Sequence, residues 1–105
     1  MTDIRSDRPL ARTTRTTAEE LLAADLVRCA AGDISAMARV YDATSTRVFR
    51  LAVVTAGDAD LAMDLACDAY LEVWRRSPSY DPASSSAMTW ILVVAYRWAL
   101  AVRAH

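Results

Sequence analysis

The chain has 105 residues, a net charge of -1 and 54% hydrophobic residues. A chain of this length can build a single modest core, so it contains one domain at most. The near-neutral charge balance excludes a basic patch spread over the whole molecule, so any nucleic-acid contact has to be local. With only 2 Gly and 3 Pro, and with Ala, Leu and Arg abundant, the composition predicts helices.

The residues of enzymatic and metal sites are scarce. The two cysteines, Cys29 and Cys67, lack a metal-ligand spacing, and the single histidine is the terminal His105. No nucleophile–base set and no glycine-rich phosphate loop can be assembled, which argues against an enzyme, a cofactor or a small-molecule substrate. We interpret both cysteines as buried free thiols.

Location is predicted from the same features. Without a disulfide framework, a reducing, cytoplasmic environment is expected. The longest apolar run, Met88–Tyr96, is far shorter than the ~20 residues that cross a bilayer. We therefore expect no membrane association.

Residues 1–17 contain many Arg and Thr and almost no apolar side chains. This composition predicts a disordered N-terminal tail, followed by one helical domain over residues 18–105. The tail arginines could touch nucleic acid, but a solvated terminus is the simpler interpretation.

Two helices are predicted after the tail. Thr17 and Glu20 form a capping box that starts the first, and Gly32 ends it near Ala31. Asp33 then caps a second helix, which Gly57 ends. The spacing of apolar residues on the second helix predicts a buried face made of Ile34, Met37, Tyr41, Val48, Leu51 and Thr55.

The third helix begins after the cap residue Asp58 and stops where Ser77 and Pro78 prevent its continuation. Its predicted buried residues are Ala62, Leu65, Ala66, Ala69, Val73 and Trp74. Its polar side carries a four-residue acidic row: Asp60, Asp64, Asp68 and Glu72. Like charges at this spacing repel by roughly 0.2–0.5 kcal/mol per pair, so the row weakens its own helix.

A polar loop and a fourth helix, near Ala87–Ala104, complete the chain. This helix is apolar on nearly every side, whereas a surface helix normally has a polar face. The predicted fold is therefore an all-α, compact bundle of about four helices.

Several motifs, taken in order, resemble the second conserved region of bacterial extracytoplasmic-function sigma factors. They are the "AAGD" turn, "VYDATSTRVFRLA", "DLACDAYLEVWRR", "SYDP" and "SAMTWILVVAYR". The resemblance implies a transcription initiation module with a helical region 2 fold. It also implies docking of the third helix on the Arg-rich clamp helices of the RNA polymerase β′ subunit.

On this resemblance, the residues facing the polymerase are Asp60, Asp64, Cys67, Asp68, Leu71 and Glu72, and Tyr70 gives apolar contact beside Leu71. The acidic row would then be attracted by the partner although it repels itself. The alternative is a merely solvated face. The family usually has Gln and Glu at the positions of Cys67 and Met63.

The resemblance also implies capture of the promoter −10 element, with Arg76, Tyr80 and Arg97 as the contacts. The chain departs from the family here: the loop reads "ASSS" where members read like "ARGS", and the fourth helix keeps only Arg97 of several polar residues. We therefore expect weak, salt-dependent DNA binding. A second hypothesis is a degenerate sigma-like interaction protein that no longer opens DNA.

A stripe on the fourth helix is apolar where the family is polar: Val93, Tyr96, Leu100 and Ala101, continuing to Ala104. Ile91, Val94, Ala95 and Trp98 are left to pack inward. Because monomers rarely expose such a stripe, we expect it to be covered, either in a homodimer or by an anti-sigma factor. The N-terminal segment, or chain downstream of His105, are the alternatives.

Overall fold

The computed structural model describes the backbone of residues 7–104 and the side chains of residues 17–104. It contains four α-helices: α1 (Asp7–Ala30), α2 (Ile34–Ala56), α3 (Ala59–Arg76) and α4 (Ala87–Ala104). A 3-10 turn, Ser77–Ser79, follows α3. The predicted all-α bundle is confirmed, and α2, α3 and α4 all pack against one another with α1 laid across them.

The start of α1 differs from the prediction. The helix begins at Asp7, ten residues before the end of the predicted tail, so Thr17 lies inside a helix and does not cap one. Pro9 falls in the first turn, where its missing N–H costs no hydrogen bond. The predicted disorder of the tail stays a prediction, since residues 1–6 and the side chains of residues 7–16 lie outside the described part.

The other helix boundaries are confirmed by their caps. The Asp33 carboxylate accepts the N–H of Ala36 at 3.2 Å, and Asp58 accepts those of Asp60 and Leu61 at 2.7 and 3.2 Å. Gly57 ends α2 in the left-handed conformation, with φ at 73°, and its N–H donates to the carbonyl of Val53. These local signals set where each helix can begin and end.

The buried face of α2 is the predicted one only in part. Val48 and Thr55 are buried as predicted, and Met37 and Leu51 are half-buried against the core. Ile34 and Tyr41, however, are exposed, at 76% and 51%. The residues that face inward are mostly small: Ala36, Val40, Thr44, Val48, Ala52 and Thr55. Small side chains let α2 approach its neighbours closely, and this packing outweighs the burial of larger residues one step round the helix.

The inward positions of α3 and α4 follow the predicted pattern. Leu65, Ala69 and Val73 of α3 meet Ile91 and Ala95 of α4 in the buried cluster. Trp74, Val94 and Trp98 are half-buried and pack against this cluster. Each fully buried Val- or Leu-sized side chain stabilises the fold by about 1.5–3 kcal/mol, so this seam positions every surface described below.

Candidate functional site

The outward side of α3 carries three exposed carboxylates: Asp60, Asp64 and Asp68. We call these residues the acidic face. None of them forms an ion pair with the side chains of residues 17–104. Asp60 lies in the first helical turn, where the positive end of the helix dipole favours it. The acidic face therefore carries three charges that are free to meet a partner.

Glu72, the fourth member of the predicted acidic row, does not belong to this face. Its side chain is buried, with 8% exposure, and turns toward α4. Its two oxygens accept hydrogen bonds from Arg75 at 2.7 Å and from Arg76 at 3.1 Å. Because the α-helix advances 100° per residue, a row of fours drifts round the helix, and by Glu72 it has reached the core. The prediction that Glu72 faces a partner is wrong.

An apolar row lies next to the acidic face on α3. It consists of Met63 and Leu71, exposed at 58% and 64%, with the exposed Cys67 between them. The interpretation of Cys67 as a buried thiol is therefore wrong, whereas Cys29 is buried as predicted and approaches the sulfur of Met37 at 3.8 Å. Acidic and apolar rows together make α3 amphipathic on its outer side.

A groove of about 590 Å³ separates this side of α3 from α2. Its lining includes Tyr41, Phe49, Met63, Cys67 and Tyr70. The rings of Tyr41 and Tyr70 meet at 5.0 Å with a 54° tilt. The predicted docking residue Cys67 therefore lines an apolar depression that is itself partly aromatic.

The floor of this groove is fixed by one polar pair. The hydroxyls of Thr44 and Tyr70 lie 2.7 Å apart, and the Thr44 hydroxyl also donates to the carbonyl of Val40. Burial raises the pKa of Tyr70 to about 12, although the hydrogen bond with Thr44 acts in the opposite direction. The pair ties α2 to α3 directly beneath the exposed Tyr41.

The structure brings together two of the three residues predicted to contact DNA. Arg76 and Arg97 line one cleft of about 500 Å³ between the end of α3 and the middle of α4. Trp90, Trp98 and Ser79 complete its walls. Within the described side chains, the buried indole N–H of Trp98 has no hydrogen-bond partner. The cleft thus combines cations and aromatic surface.

The two arginines of the cleft are not equivalent. Arg76 is bonded to Glu72, which lines the same cleft and neutralises part of its charge. Arg97 is exposed and forms no ion pair with residues 17–104. Arg97 is therefore the cation most available to a phosphate.

Tyr80 does not offer a stacking surface. It is buried, its ring meets that of Trp90 at 5.4 Å, and its hydroxyl donates to the carbonyl of Ser85 at 3.3 Å. Burial raises the pKa of Tyr80, and the nearby Glu19 and Asp81 carboxylates raise it further. The prediction of Tyr80 as an exposed contact is wrong, because the ring fills the space under its own loop.

The loop over residues 81–86 is held by short-range bonds at both ends. Asp81 accepts from the N–H of Ala83 and the hydroxyl of Ser84, and Ser86 accepts the N–H of Thr89 as the cap of α4. Glu19, from α1, accepts the N–H of Ala87 at 3.2 Å. No local pattern indicates this last contact, which joins residues 68 positions apart.

The predicted apolar stripe on α4 is exposed, as expected. Val93, Tyr96 and Leu100 have 41%, 45% and 42% exposure, and Ala101 is exposed beside them. Between this stripe and α2 lies a second groove, of about 650 Å³, which we call the α2–α4 groove. Its lining residues are Arg47, Arg50, Leu51, Val54, Thr89, Leu92, Val93 and Tyr96.

Sequence reasoning missed the α2 side of this groove. Arg47 and Arg50 are one turn apart on α2, and Val54, one turn further on, is 80% exposed. The spacing of the two arginines was visible in "TRVFR" and places them on one side of a helix. The sequence does not indicate, however, that this side of α2 adjoins α4.

The chain matches a family model described as sigma-70 region 2 over residues 40–101, which is more than half of its length. The chain belongs to the sigma-70 region 2 family. The match begins at Val40 in the middle of α2 and ends at Ala101 in α4, so it contains the acidic face, the cleft and both grooves.

Curated relatives of this region 2 domain are ECF RNA polymerase sigma factors named SigK. The protein from Mycobacterium sp. (strain KMS) is 38% identical over 68 residues, which are 65% of this chain and 35% of the relative. The one from Mycobacterium tuberculosis (strain ATCC 25177 / H37Ra) is 38% identical over 75 residues, or 71% and 40%. That from Mycolicibacterium vanbaalenii is 39% identical over 68 residues.

These relatives show that the region 2 domain is of the ECF type. The chain spans only 35–40% of the length of the relatives it matches. The sigma factor family consists of non-enzymatic transcription factors, and no group of His, Cys, Asp or Glu that could hold a metal ion occurs in the described part of this chain.

Helix α4 of the region 2 domain is also long and apolar enough to cross a membrane, judged by length and composition alone. In the bundle, however, Ala87, Ile91, Ala95 and Ala99 are buried against the other helices. Part of its apolar character therefore serves the core. The remainder forms the exposed stripe.

Proposed function

We propose that this region 2 domain docks on the clamp helices of the RNA polymerase β′ subunit in the bacterial cytoplasm, as part of transcription initiation. The observation that supports the proposal is the acidic face, whose three carboxylates are unpaired within residues 17–104 and stand beside an exposed apolar row. An Arg-rich coiled coil is complementary to both rows, and complementary charge speeds encounter and fixes register.

Docking would use Asp60, Asp64 and Asp68 for charge and Cys67 and Leu71 for apolar contact. Glu72 is not one of these contacts, because its buried carboxylate is bonded to Arg75 and Arg76. The three carboxylates alone are arranged at the spacing of successive helical turns, about 6 Å apart along the axis. A partner helix lying along α3 can therefore meet all three.

The test is binding to core polymerase by the double variant Asp64→Arg, Asp68→Arg. We expect affinity to fall roughly tenfold or more, because like charges then face each other across the contact. The matched control is Glu20→Arg, Asp42→Arg, which makes the same charge change at exposed positions on α1 and α2. Equal binding by parent and test variant, with unchanged helicity, would reduce the acidic face to a solvated surface.

We further propose that the cleft between α3 and α4 contacts single-stranded DNA of the promoter −10 element. Arg97 supplies the phosphate contact and Arg76 a weaker one, while Trp90 and Trp98 offer aromatic surface. Tyr80 acts from below by positioning Trp90. With so few free cations, the affinity is weak and strongly salt-dependent.

A single-stranded −10 oligonucleotide, titrated by fluorescence anisotropy at several salt concentrations, tests this contact. Arg97→Gln should lower the slope of log K against log salt by about one, since one phosphate contact is lost. Arg28→Gln, on the exposed side of α1, is the control. Tight binding by the parent at physiological salt would contradict the expected weakness.

A second candidate function is an interaction protein that keeps the region 2 fold but does not open DNA. The observation in its favour is the loop over residues 81–86, which has no cation, together with the pairing of Arg76 to Glu72. Such a protein would bind polymerase, an anti-sigma factor or itself. Polymerase binding without measurable −10 DNA binding would favour this candidate over the first.

A further inference from the structure

The α2–α4 groove has the character of a protein-binding surface. Its floor is formed by aliphatic side chains and the face of Tyr96, and Thr89 is its only uncharged polar residue. Arg47 and Arg50 stand at its edge, exposed and without carboxylate partners among residues 17–104. An apolar floor with two free cations at the rim fits an amphipathic helix that carries carboxylates beside an apolar row.

The same chain presents such a helix. On the outer side of α3, the apolar row Met63, Cys67 and Leu71 runs alongside Asp60, Asp64 and Asp68. Each carboxylate precedes a residue of the apolar row by three positions, so the two rows are neighbours on the helix surface. Arg47 and Arg50 are about 4.5 Å apart along α2, and Asp64 and Asp68 about 6 Å along α3, which long arginine side chains can bridge.

We propose that a second copy of this chain inserts the outer side of its α3 into the α2–α4 groove. Asp64 and Asp68 of one copy face Arg47 and Arg50 of the other, and Met63 and Leu71 cover the exposed Val54, Val93 and Tyr96. This arrangement pairs two sets of charges that have no ion-pair partner within the described side chains. It also covers Val93 and Tyr96, the part of the apolar stripe of α4 that lines the groove.

The contact joins two different patches, so it is heterologous. In a pair, one copy keeps its groove free and the other keeps its α3 free, so further copies can add head to tail. Association therefore rises with concentration and does not stop at a two-fold dimer. Because its charges are exposed at the rim, salt weakens it.

Self-association and polymerase docking use the same acidic face and exclude each other. This consequence rests on the proposed function, whereas the self-association does not. A chain held by another copy cannot dock, so the assembly acts as a reserve that dissociates when the concentration falls. Polymerase, by binding the monomer, shifts the population toward it.

The experiment is light scattering across a concentration series with two charge-reversed variants. The groove variant is Arg47→Asp, Arg50→Asp, and the α3 variant is Asp64→Arg, Asp68→Arg. Each alone should associate roughly tenfold or more weakly than the parent, since like charges meet in the contact. Glu20→Arg, exposed on α1, should associate as the parent does.

An equimolar mixture of the two variants is the decisive sample. The acidic α3 of the groove variant then meets the unchanged arginines of the α3 variant, and the reversed α3 meets the reversed groove. Association should return in the mixture, which a mere loss of folding cannot produce. A mixture that stays monomeric, or a parent that is monomeric throughout, overturns the proposal.

Polymerase binding separates this proposal from the proposed function. The groove variant keeps its acidic face, so it should bind core polymerase at least as well as the parent, while the α3 variant should not. If the groove variant instead loses only DNA or anti-sigma binding and the parent never associates, the groove belongs to that partner and the self-association is overturned. Association in the absence of polymerase binding would sink the proposed function alone.

Discussion

The hydroxyl of Tyr70, on α3, is hydrogen-bonded to that of Thr44, on α2, inside the core. Its partner Thr44 is already bonded to the carbonyl of Val40, so the pair is part of a short chain of hydrogen bonds. Buried polar groups stabilise a fold only when they are satisfied in this way. The arrangement makes the phenol expensive to ionise.

Stability should accordingly fall at alkaline pH. An unfolded chain releases the tyrosine proton near pH 10, whereas the folded state holds that of Tyr70 to about pH 12. Between these values the unfolded state binds fewer protons, so the free energy of unfolding decreases as the pH rises. Below pH 10 this contribution is fully present.

Urea unfolding at a series of pH values from 8 to about 12 measures the effect. Tyr70→Phe loses the hydrogen bond and is less stable at neutral pH, but its stability should decline less steeply above pH 10. The comparison concerns the slope of the free energy of unfolding against pH, and not its value at neutral pH. A variant with the parent's slope would show that Tyr70 does not carry the alkaline sensitivity.

At this scale the sequence predicted exposure well where the periodicity was clear and failed where packing decided. Asp64 and Asp68 are exposed as expected. Glu72 is buried because a row of fours drifts round α3 toward the core, which helical geometry alone indicates. Tyr80 is buried because its ring packs against Trp90 under its own loop, and no local pattern encodes that contact.

Helix α2 is bounded by two residues that bond to its own backbone. Asp33 accepts an N–H at its start, and Gly57 adopts the left-handed conformation at its end. A Cβ built on Gly57 would meet nothing within 4 Å, so the only cost of a side chain there is conformational. A substitution at Gly57 therefore measures the cost of the left-handed backbone conformation alone.

Two substitutions of Gly57 measure this conformational cost. Gly57→Ala should lower the free energy of unfolding by about 1 kcal/mol, because alanine is strained at positive φ. Gly57→Asn, which tolerates this conformation better, should lose less. Chemical denaturation of the three proteins gives the comparison, and equal losses for Ala and Asn would point to a steric cause instead.

The caps of α2 and α3 were predictable because capping depends on residues a few positions apart. The inward face of α2 was not, because it depends on distances between helices. Ala36, Ala52 and Thr44 face inward since they let the helices approach, while the larger Ile34 and Tyr41 point outward. Apolar spacing alone favours the larger side chains and so rotates the predicted face.

Across the whole molecule, a few polar contacts tie distant parts of the chain. Asp25, on α1, accepts hydrogen bonds from the Arg39 guanidinium of α2 at 3.0 Å. Glu19 reaches from α1 to the first N–H of α4. Arg103, near the end of α4, donates to the carbonyl of Thr55 at the end of α2. The bundle as a class was predictable from four helical segments, but these cross-links were not.

Glu19→Gln tests the tie between α1 and α4. Removing the carboxylate charge from the N-terminus of α4 should cost about 0.5–1 kcal/mol of stability, since negative charge is favoured there. It should also lower the pKa of Tyr80, because the Glu19 carboxylate contributes to raising it. Glu20→Gln, one residue away and exposed, is the control for both measurements.

Tyrosinate absorbance, with quenching of the neighbouring Trp90, reports the pKa of Tyr80. A Glu19→Gln protein with the parent's stability and titration would mean that the bond to Ala87 is not formed in solution. Loss of stability with an unchanged pKa of Tyr80 would mean that the bond between Glu19 and Ala87 forms but that the Glu19 charge does not act on the Tyr80 hydroxyl.

The two thiols of this chain differ in exposure, so the rate at which each is alkylated reports a different property of the protein. Burial raises the pKa of Cys29 and shields it, while Cys67 stands exposed between Met63 and Leu71. An alkylating reagent, which reacts with thiolate, should therefore modify Cys67 first and leave Cys29 for the unfolded chain. The alkylation rate of Cys67 then measures the fraction of time for which α3 is uncovered. The alkylation rate of Cys29 measures how often the bundle opens.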